Sequence, residues 1–268
     1  MKKRVVYIIL GTIFLLAAIA VGGYTYSRTA YTPPALSEQI VRSERAEEPA
    51  APTETPEPTV EPSEEPAPTA TPEPYDSPID FDALQEINSD IYAWLEIDGT
   101  NISYPIVQHP EDDDYYLTHN SDGNYSANGA IFTQPTYNST DFEDPVTVIY
   151  GHRMGSAMFG SLMSKFSNAE FFQEYNIIRV YTPERLLEYK VFAAVPYSNE
   201  HILYEHDFSE KAEYNAFFRG VYSIRRLEAQ FDQEGKPSFE DEDKVLILST
   251  CLQSNRSMRF LVMAALQQ

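Results

Sequence analysis

The sequence predicts a mainly β fold organised as a closed or nearly closed barrel, and three observations carry that prediction. Eight short apolar runs, joined by short polar connections, lie between Ala93 and Ala265. One amphipathic helix precedes them, and one long helix is inserted before the last two. No internal repeat, phosphate-binding glycine loop or metal-ligand spacing interrupts the pattern.

The elements follow in order. A helix is predicted over Phe81 to Tyr92, where Leu84, Ile87 and Ile91 recur at helical spacing. The runs Ala93 to Ile97 and Ile102 to Gln108 flank Asp98-Gly99, a strong turn signal. Further strands are predicted at Gly129 to Thr133, Val146 to Tyr150, Ile177 to Tyr181, Leu186 to Pro196, Val245 to Thr250 and Arg259 to Ala265. A short helical insertion is placed around Met158 to Ser167. A longer one is placed around Ser209 to Arg226, where Tyr214, Phe217, Phe218, Val221 and Tyr222 mark one apolar face. The acidic tract Glu111 to Asp114, flanked by His109 and His119, reads as a solvated cap at a helix start rather than a cation site.

Residues 79–268 are expected to form a single extracytoplasmic domain with ample apolar content for a core. Residues 1–30 read as a cytoplasmic tip and transmembrane signal anchor. Lys2, Lys3 and Arg4 precede an uncharged apolar stretch from Val5 to Gly22, near the ~18 residues a membrane-crossing helix needs. A cleaved signal peptide is the open alternative, since Ala18-Ile19-Ala20 resembles a small-residue cleavage site. Residues 31–78 form a stalk of repeated Thr-Pro, Glu-Pro and Ala-Pro steps, expected to be extended and without a packed core. At about 3.1 Å per residue, such a stalk reaches on the order of 100 Å. The net charge of −22 argues against nucleic acid as a partner, because it would repel a phosphate backbone.

Three side chains stand out at predicted strand ends. Cys251, the only cysteine, closes the run Val245-Leu246-Ile247-Leu248-Ser249-Thr250-Cys251. A lone thiol on an exported chain makes no internal disulfide, so it is either incidental or chemically employed. His152 follows the run Val146-Thr147-Val148-Ile149-Tyr150-Gly151, and Arg259 opens Arg259-Phe260-Leu261-Val262-Met263. A thiol, an imidazole and a guanidinium delivered to strand ends suit acyl transfer through a thioester.

These residues carry a resemblance. Leu248-Ser249-Thr250-Cys251 followed by Arg259-Phe260-Leu261-Val262 resembles the cysteine and arginine signature of sortases, and Tyr150-Gly151-His152-Arg153-Met154 resembles their histidine segment. Tyr92-Ala93-Trp94-Leu95, Ile102 to Gln108, Asp114-Tyr115-Tyr116-Leu117 and Gly129-Ala130-Ile131-Phe132 are similar to the class B branch. The helix before the cysteine strand is also like class B. The pattern departs from that branch at Gln253, where tyrosine is frequent, and in the segment Arg153 to Ala157.

The resemblance implies an eight-stranded barrel and a membrane-anchored cysteine transpeptidase of a Gram-positive envelope, working without a cofactor or metal. Such an enzyme cleaves the sorting signal of a surface protein. It transfers the acyl part to an amine of the peptidoglycan crossbridge or its lipid-linked precursor or, in a pilin-polymerising variant, to a pilin lysine. By the same resemblance Cys251 is the nucleophile, His152 the proton carrier and Arg259 the holder of the substrate carbonyl or oxyanion. Ser249 and Thr250 are expected to line the substrate groove. A non-catalytic, envelope-anchored binding module is the alternative from another class. A peptidoglycan-stem cysteine transpeptidase fits less well, because Thr250 precedes the cysteine where that class shows a His-Gly-Cys-like motif.

Overall fold

The computed structural model describes residues 75–238, 240, 242–251 and 257–267, with backbone alone at Cys251. The expected anchor, the stalk up to residue 74, Gln253 and Arg256, the nearest competitor in sequence for the arginine role, lie outside the described residues. Among the described residues, no helix is long and apolar enough to cross a membrane.

Eight strands close the barrel: β1 (Ile91–Ile97), β2 (Ile102–Val107), β3 (Ile131–Phe132), β4 (Val146–Tyr150), β7 (Ile177–Tyr181), β8 (Leu186–Ser198), β10 (Val245–Cys251) and β11 (Met258–Leu266). Around the ring the order is β1-β7-β8-β11-β10-β4-β3-β2, and the β8–β11 pairing completes closure. Closure leaves no free edge among these strands, as a barrel must. All neighbours are antiparallel except β2–β3 and β4–β10.

Strand alternation divides the apolar residues into three layers. Inward-facing side chains from all eight strands, among them Leu95, Ile106, Ile131, Ile149, Val180, Ala194, Leu248 and Phe260, fill the interior. The outer face of β4, β8, β10 and β11 is covered by helix α5 (Lys211–Tyr222) through Tyr214, Phe217, Phe218 and Val221. The outer face of β1–β3 is covered by helix α1 (Phe81–Ile87) through Phe81 and Leu84, with Ile79 joining them.

The differences from the sequence expectation have local causes. Helix α1 ends at Ile87 rather than Tyr92. Asn88 turns extended, and its side-chain amide donates to the Tyr116 hydroxyl (2.8 Å) and the Ser121 carbonyl (2.9 Å). Ile91, which fits the helical spacing, is instead the first buried residue of β1. The run Gly129 to Thr133 yields only two paired residues, and α5 is shorter than the expected Ser209 to Arg226.

The insertion after β4 is a small hairpin of β5 (Arg153–Met154) and β6 (Ala157–Met158), then helices α2 (Leu162–Phe166) and α3 (Ala169–Glu174). Asn168 caps α3 by accepting from the Phe171 N–H at 2.9 Å. Two more short elements lacked a sequence signal: helix α4 (Ile202–Glu205) and strand β9 (Gln230–Phe231), which pairs with β8. The acidic tract precedes only a single 3-10 turn, Tyr115–Leu117, which Asp114 does not cap. Asp112 and Asp113 tie loop backbone instead, accepting from the N–H groups of Asp114 (2.9 Å) and Thr136 (3.1 Å).

Candidate active site

The backbone register assembles the candidate site at one end of β4, β10 and β11. In the parallel β4–β10 ladder Tyr150 pairs with Ser249, and the Gly151 N–H continues it to the Ser249 carbonyl at 3.2 Å. His152 and Cys251 each stand two residues past the Tyr150–Ser249 pair. On the other side of β10, Cys251 is the register partner of Arg259, and Arg259 is in turn the partner of Tyr197 on β8. The backbone at Cys251 and Arg259 is thus paired, and His152 follows β4 at the same end of the sheet, two residues past the last β4–β10 pair.

Close packing brings β4 to this point. A Cβ at Gly151 would fall 2.5 Å from Ile131 Cδ1 and 2.6 Å from the Phe159 ring, so only glycine fits beside His152 there. The Phe159 N–H donates to the His152 carbonyl at 3.2 Å, fixing the chain just past the strand. The His152 ring is half-buried, and its Nε2 has no hydrogen-bond partner among the described residues. Burial holds the imidazole below its ordinary pKa, which favours the uncharged form.

Orphaned polar atoms gather here. Among the described residues six buried side-chain polar atoms lack a hydrogen bond, and three of them belong to Tyr150, His152 and Thr250. Each such atom costs about 1–3 kcal/mol when left unpaired, so this strand end is one of the costliest polar clusters among the described residues. Burial raises the Tyr150 phenol pKa, the Tyr137 phenol adds to that effect, and the Arg259 guanidinium opposes it.

Alternation separates the two residues expected to line a groove. Ser249 shares outer-face parity with Val245 and Ile247, whereas Thr250 pairs with Phe260 and shares parity with Leu248 on the barrel interior. Both are buried, Ser249 at 5% exposure and Thr250 at 2%.

The rim on the α4 side is held by residues the sequence did not single out as a group. His201 caps α4, its Nδ1 accepting from the Tyr204 N–H at 3.1 Å, which leaves Nε2–H to donate to Gln134 Oε1 at 2.8 Å. Its ring packs against Tyr137 and Tyr150, with centroids 4.7 and 6.1 Å away. The Tyr197 hydroxyl donates to Glu200 at 2.6 Å, and His206 contacts Glu213 at 2.7 Å. Tyr150 lies two residues before His152 at the same strand parity, and His201 and His206 fall in the loop before the long helix, where the resemblance to class B suggests a peripheral role. Gln134 and Tyr137 arrive from a loop that no local pattern links to the site. Among the described residues no three His, Cys, Asp or Glu side chains gather closely enough to hold a metal ion, and that includes the tract around Glu111.

Comparison with known proteins gives a consistent family. A family model described as the Sortase domain matches residues 95–267. Sortase B of Listeria monocytogenes is 29% identical over 168 residues, which is 63% of this chain and 65% of that protein, so the match spans just under two thirds of that relative's length. A crystal structure of sortase B from Bacillus anthracis in complex with AAEK2 superposes with a TM-score of 0.60 at 32% identity, covering 70% of this chain and 83% of the other. A Streptococcus pyogenes class B sortase involved in pilus biogenesis aligns with a TM-score of 0.60 at 30% identity, covering 70% of this chain and 98% of the other.

Proposed function

The chain belongs to the sortase family, in its class B branch, and from that premise we propose that it is a membrane-anchored cysteine transpeptidase. It cleaves the sorting signal of a surface protein and transfers the acyl part to an amine of peptidoglycan or its lipid-linked precursor. The observation that carries the reading is the placement of Cys251, His152 and Arg259 at one end of the sheet.

In this reading the Cys251 sulfur attacks the scissile carbonyl carbon as its proton passes to His152, and the carbonyl electron pair moves onto oxygen. Arg259 donates hydrogen bonds to that oxyanion through its planar fork. Collapse breaks the C–N bond, the His152 proton goes to the leaving nitrogen, and a thioester remains. An incoming amine reverses the sequence: its proton passes to His152, a new amide forms, and sulfur leaves to be reprotonated. A depressed imidazole pKa suits both halves, since the ring is uncharged when it must accept a proton and a strong donor once it has one. Residues 1–30 serve as anchor and 31–78 as a spacer to the cell wall.

A second reading is suggested by one relative, the Streptococcus pyogenes class B sortase involved in pilus biogenesis, which is 30% identical. In that reading the acceptor is a lysine side chain of a pilin. One experiment tests both. The full chain is incubated with a library of sorting-signal peptides and with peptidoglycan-type amines or lysine peptides, then analysed by mass spectrometry. An acyl adduct that is absent in Cys251→Ala, and discharges onto one amine class, supports transpeptidation and names the acceptor. Absence of any adduct across the library leaves the non-catalytic binding module.

A further inference from the structure

We propose that Gly129 is a positioning residue for His152: its missing side chain is the space against which the imidazole edge rests. This inference builds on the acid–base role given to His152 above. Gly129 is buried between β3 and the 3-10 turn Tyr115–Leu117, with φ of +62°, where residues with a side chain are rare. Its N–H donates to the Ser126 carbonyl at 3.0 Å, and the next N–H, of Ala130, donates to the Tyr116 carbonyl at 3.0 Å, so its backbone is tied on both sides.

A Cβ built there would lie 2.6 Å from the Tyr116 carbonyl oxygen, 2.9 Å from that of Leu117 and 3.2 Å from His152 Cδ2. The two carbonyl contacts force a shift of the backbone around Gly129, and the imidazole edge, packed at 3.2 Å, must also give by a few tenths of an ångström. Cδ2 is bonded directly to Nε2, which has no hydrogen-bond partner among the described residues. Displacing the ring edge by a few tenths of an ångström therefore displaces the proton-carrying atom by a similar amount. Proton transfer depends steeply on such distances, and a misplacement of about 1 Å can cost 10²-fold.

A control for the positive-φ penalty alone exists in the same loop. Gly123 also has positive φ, +78°, but a Cβ there meets only Asn88 Nδ2 at 4.0 Å. Gly123→Ala imposes the same kind of backbone penalty without touching His152.

The test uses the full chain in detergent with isotope-labelled histidine; five histidines give five titrating signals, and His152→Ala assigns one of them. The second readout is the pH dependence of alkylation of Cys251, the only thiol, by iodoacetamide. Gly129→Ala is expected to move the His152 midpoint up toward the ordinary imidazole value and to slow alkylation at neutral pH by about tenfold. Gly123→Ala should leave both unchanged even if it melts earlier, and Gly129→Ala added to His152→Ala should slow alkylation no further.

If His152→Ala leaves the alkylation profile untouched, thiol and imidazole are not coupled and the catalytic reading itself fails. If His152→Ala alters the profile while Gly129→Ala matches wild type, the catalytic reading stands and the Gly129 inference is overturned. Should Gly129→Ala fail to fold, the wild-type chain decides. A cross-relaxation signal between a Gly129 Hα and His152 Hδ2 supports the contact, and its absence refutes it.

Discussion

The two outer layers of the barrel make the most instructive comparison. Over β1–β3, helix α1 seals an apolar surface, and the large polar side chains within it are satisfied. Trp94 Nε1 donates to Ser103 at 3.1 Å, and the Tyr116 hydroxyl both accepts from Asn88 and donates to Asp90, at 2.8 and 2.7 Å. Over β4, β8, β10 and β11, helix α5 seals a second apolar surface, beside which His206 Nε2 is unpaired among the described residues; Tyr150, whose hydroxyl is also unpaired, packs against both outer layers, next to His152 and Thr250. At about 1–3 kcal/mol for each orphan, the second arrangement is costly to the fold. Among the described residues, the large polar side chains under α1 are paired, whereas Tyr150, His152 and Thr250, near the end of β4 and β10, each keep an unpaired atom.

The largest effects should come from the layers themselves. Phe218→Ala is expected to lower the unfolding free energy by about 3–5 kcal/mol and Leu84→Ala by about 2–5 kcal/mol, read from urea denaturation. Turnover per folded molecule should fall only for Phe218→Ala. Equal turnover in both variants would remove the functional contrast between the layers.

At the reactive end, Arg259→Lys is expected to reduce kcat/KM by roughly 10²–10³-fold while the melting temperature stays close to wild type, since an ammonium lacks the planar fork. Wild-type turnover would withdraw the oxyanion role. A smaller effect of opposite sign is expected from Thr250→Val. Replacing an orphaned, buried hydroxyl with a methyl should raise the unfolding free energy by about 1 kcal/mol. Destabilisation would mean that the hydroxyl has a partner inside the barrel.

The smallest effect is the pH dependence. The folded His152 pKa lies below its ordinary value of 6.5, so between the two the unfolded chain binds more protons. The stability contribution is therefore present in full above pH 6.5 and is lost as pH falls toward the folded value. Denaturation midpoints should show a decline from pH 7.5 to 5 that is shallower in His152→Gln. An unchanged slope in that variant would assign the decline to other groups.

Strand and helix identities were largely legible because their signal is local. Alternating or continuous apolar runs mark β1, β4, β8, β10 and β11, and the apolar stripe Tyr214, Phe217, Phe218 and Val221 marks α5. Cys251, His152 and Arg259 were legible as residue types at strand ends, and as a family pattern. The sequence alone determined these, along with the acidic balance and the lone thiol.

Only the tertiary structure decided which strand ends meet. The parallel β4–β10 ladder and the β8–β11 closure are contacts between distant segments, and periodicity within a segment carries no information about its partner. The same holds for the parity that separates Ser249 from Thr250 relative to the core, for the His201–Gln134 link, and for the space at Gly129. Helix α1 shows the converse: Ile91 satisfied the local helical spacing, but Asn88 bonded across to Tyr116 and Ser121 and ended the helix. Local pattern sets what a segment can become; long-range pairing and packing select which side chains it meets.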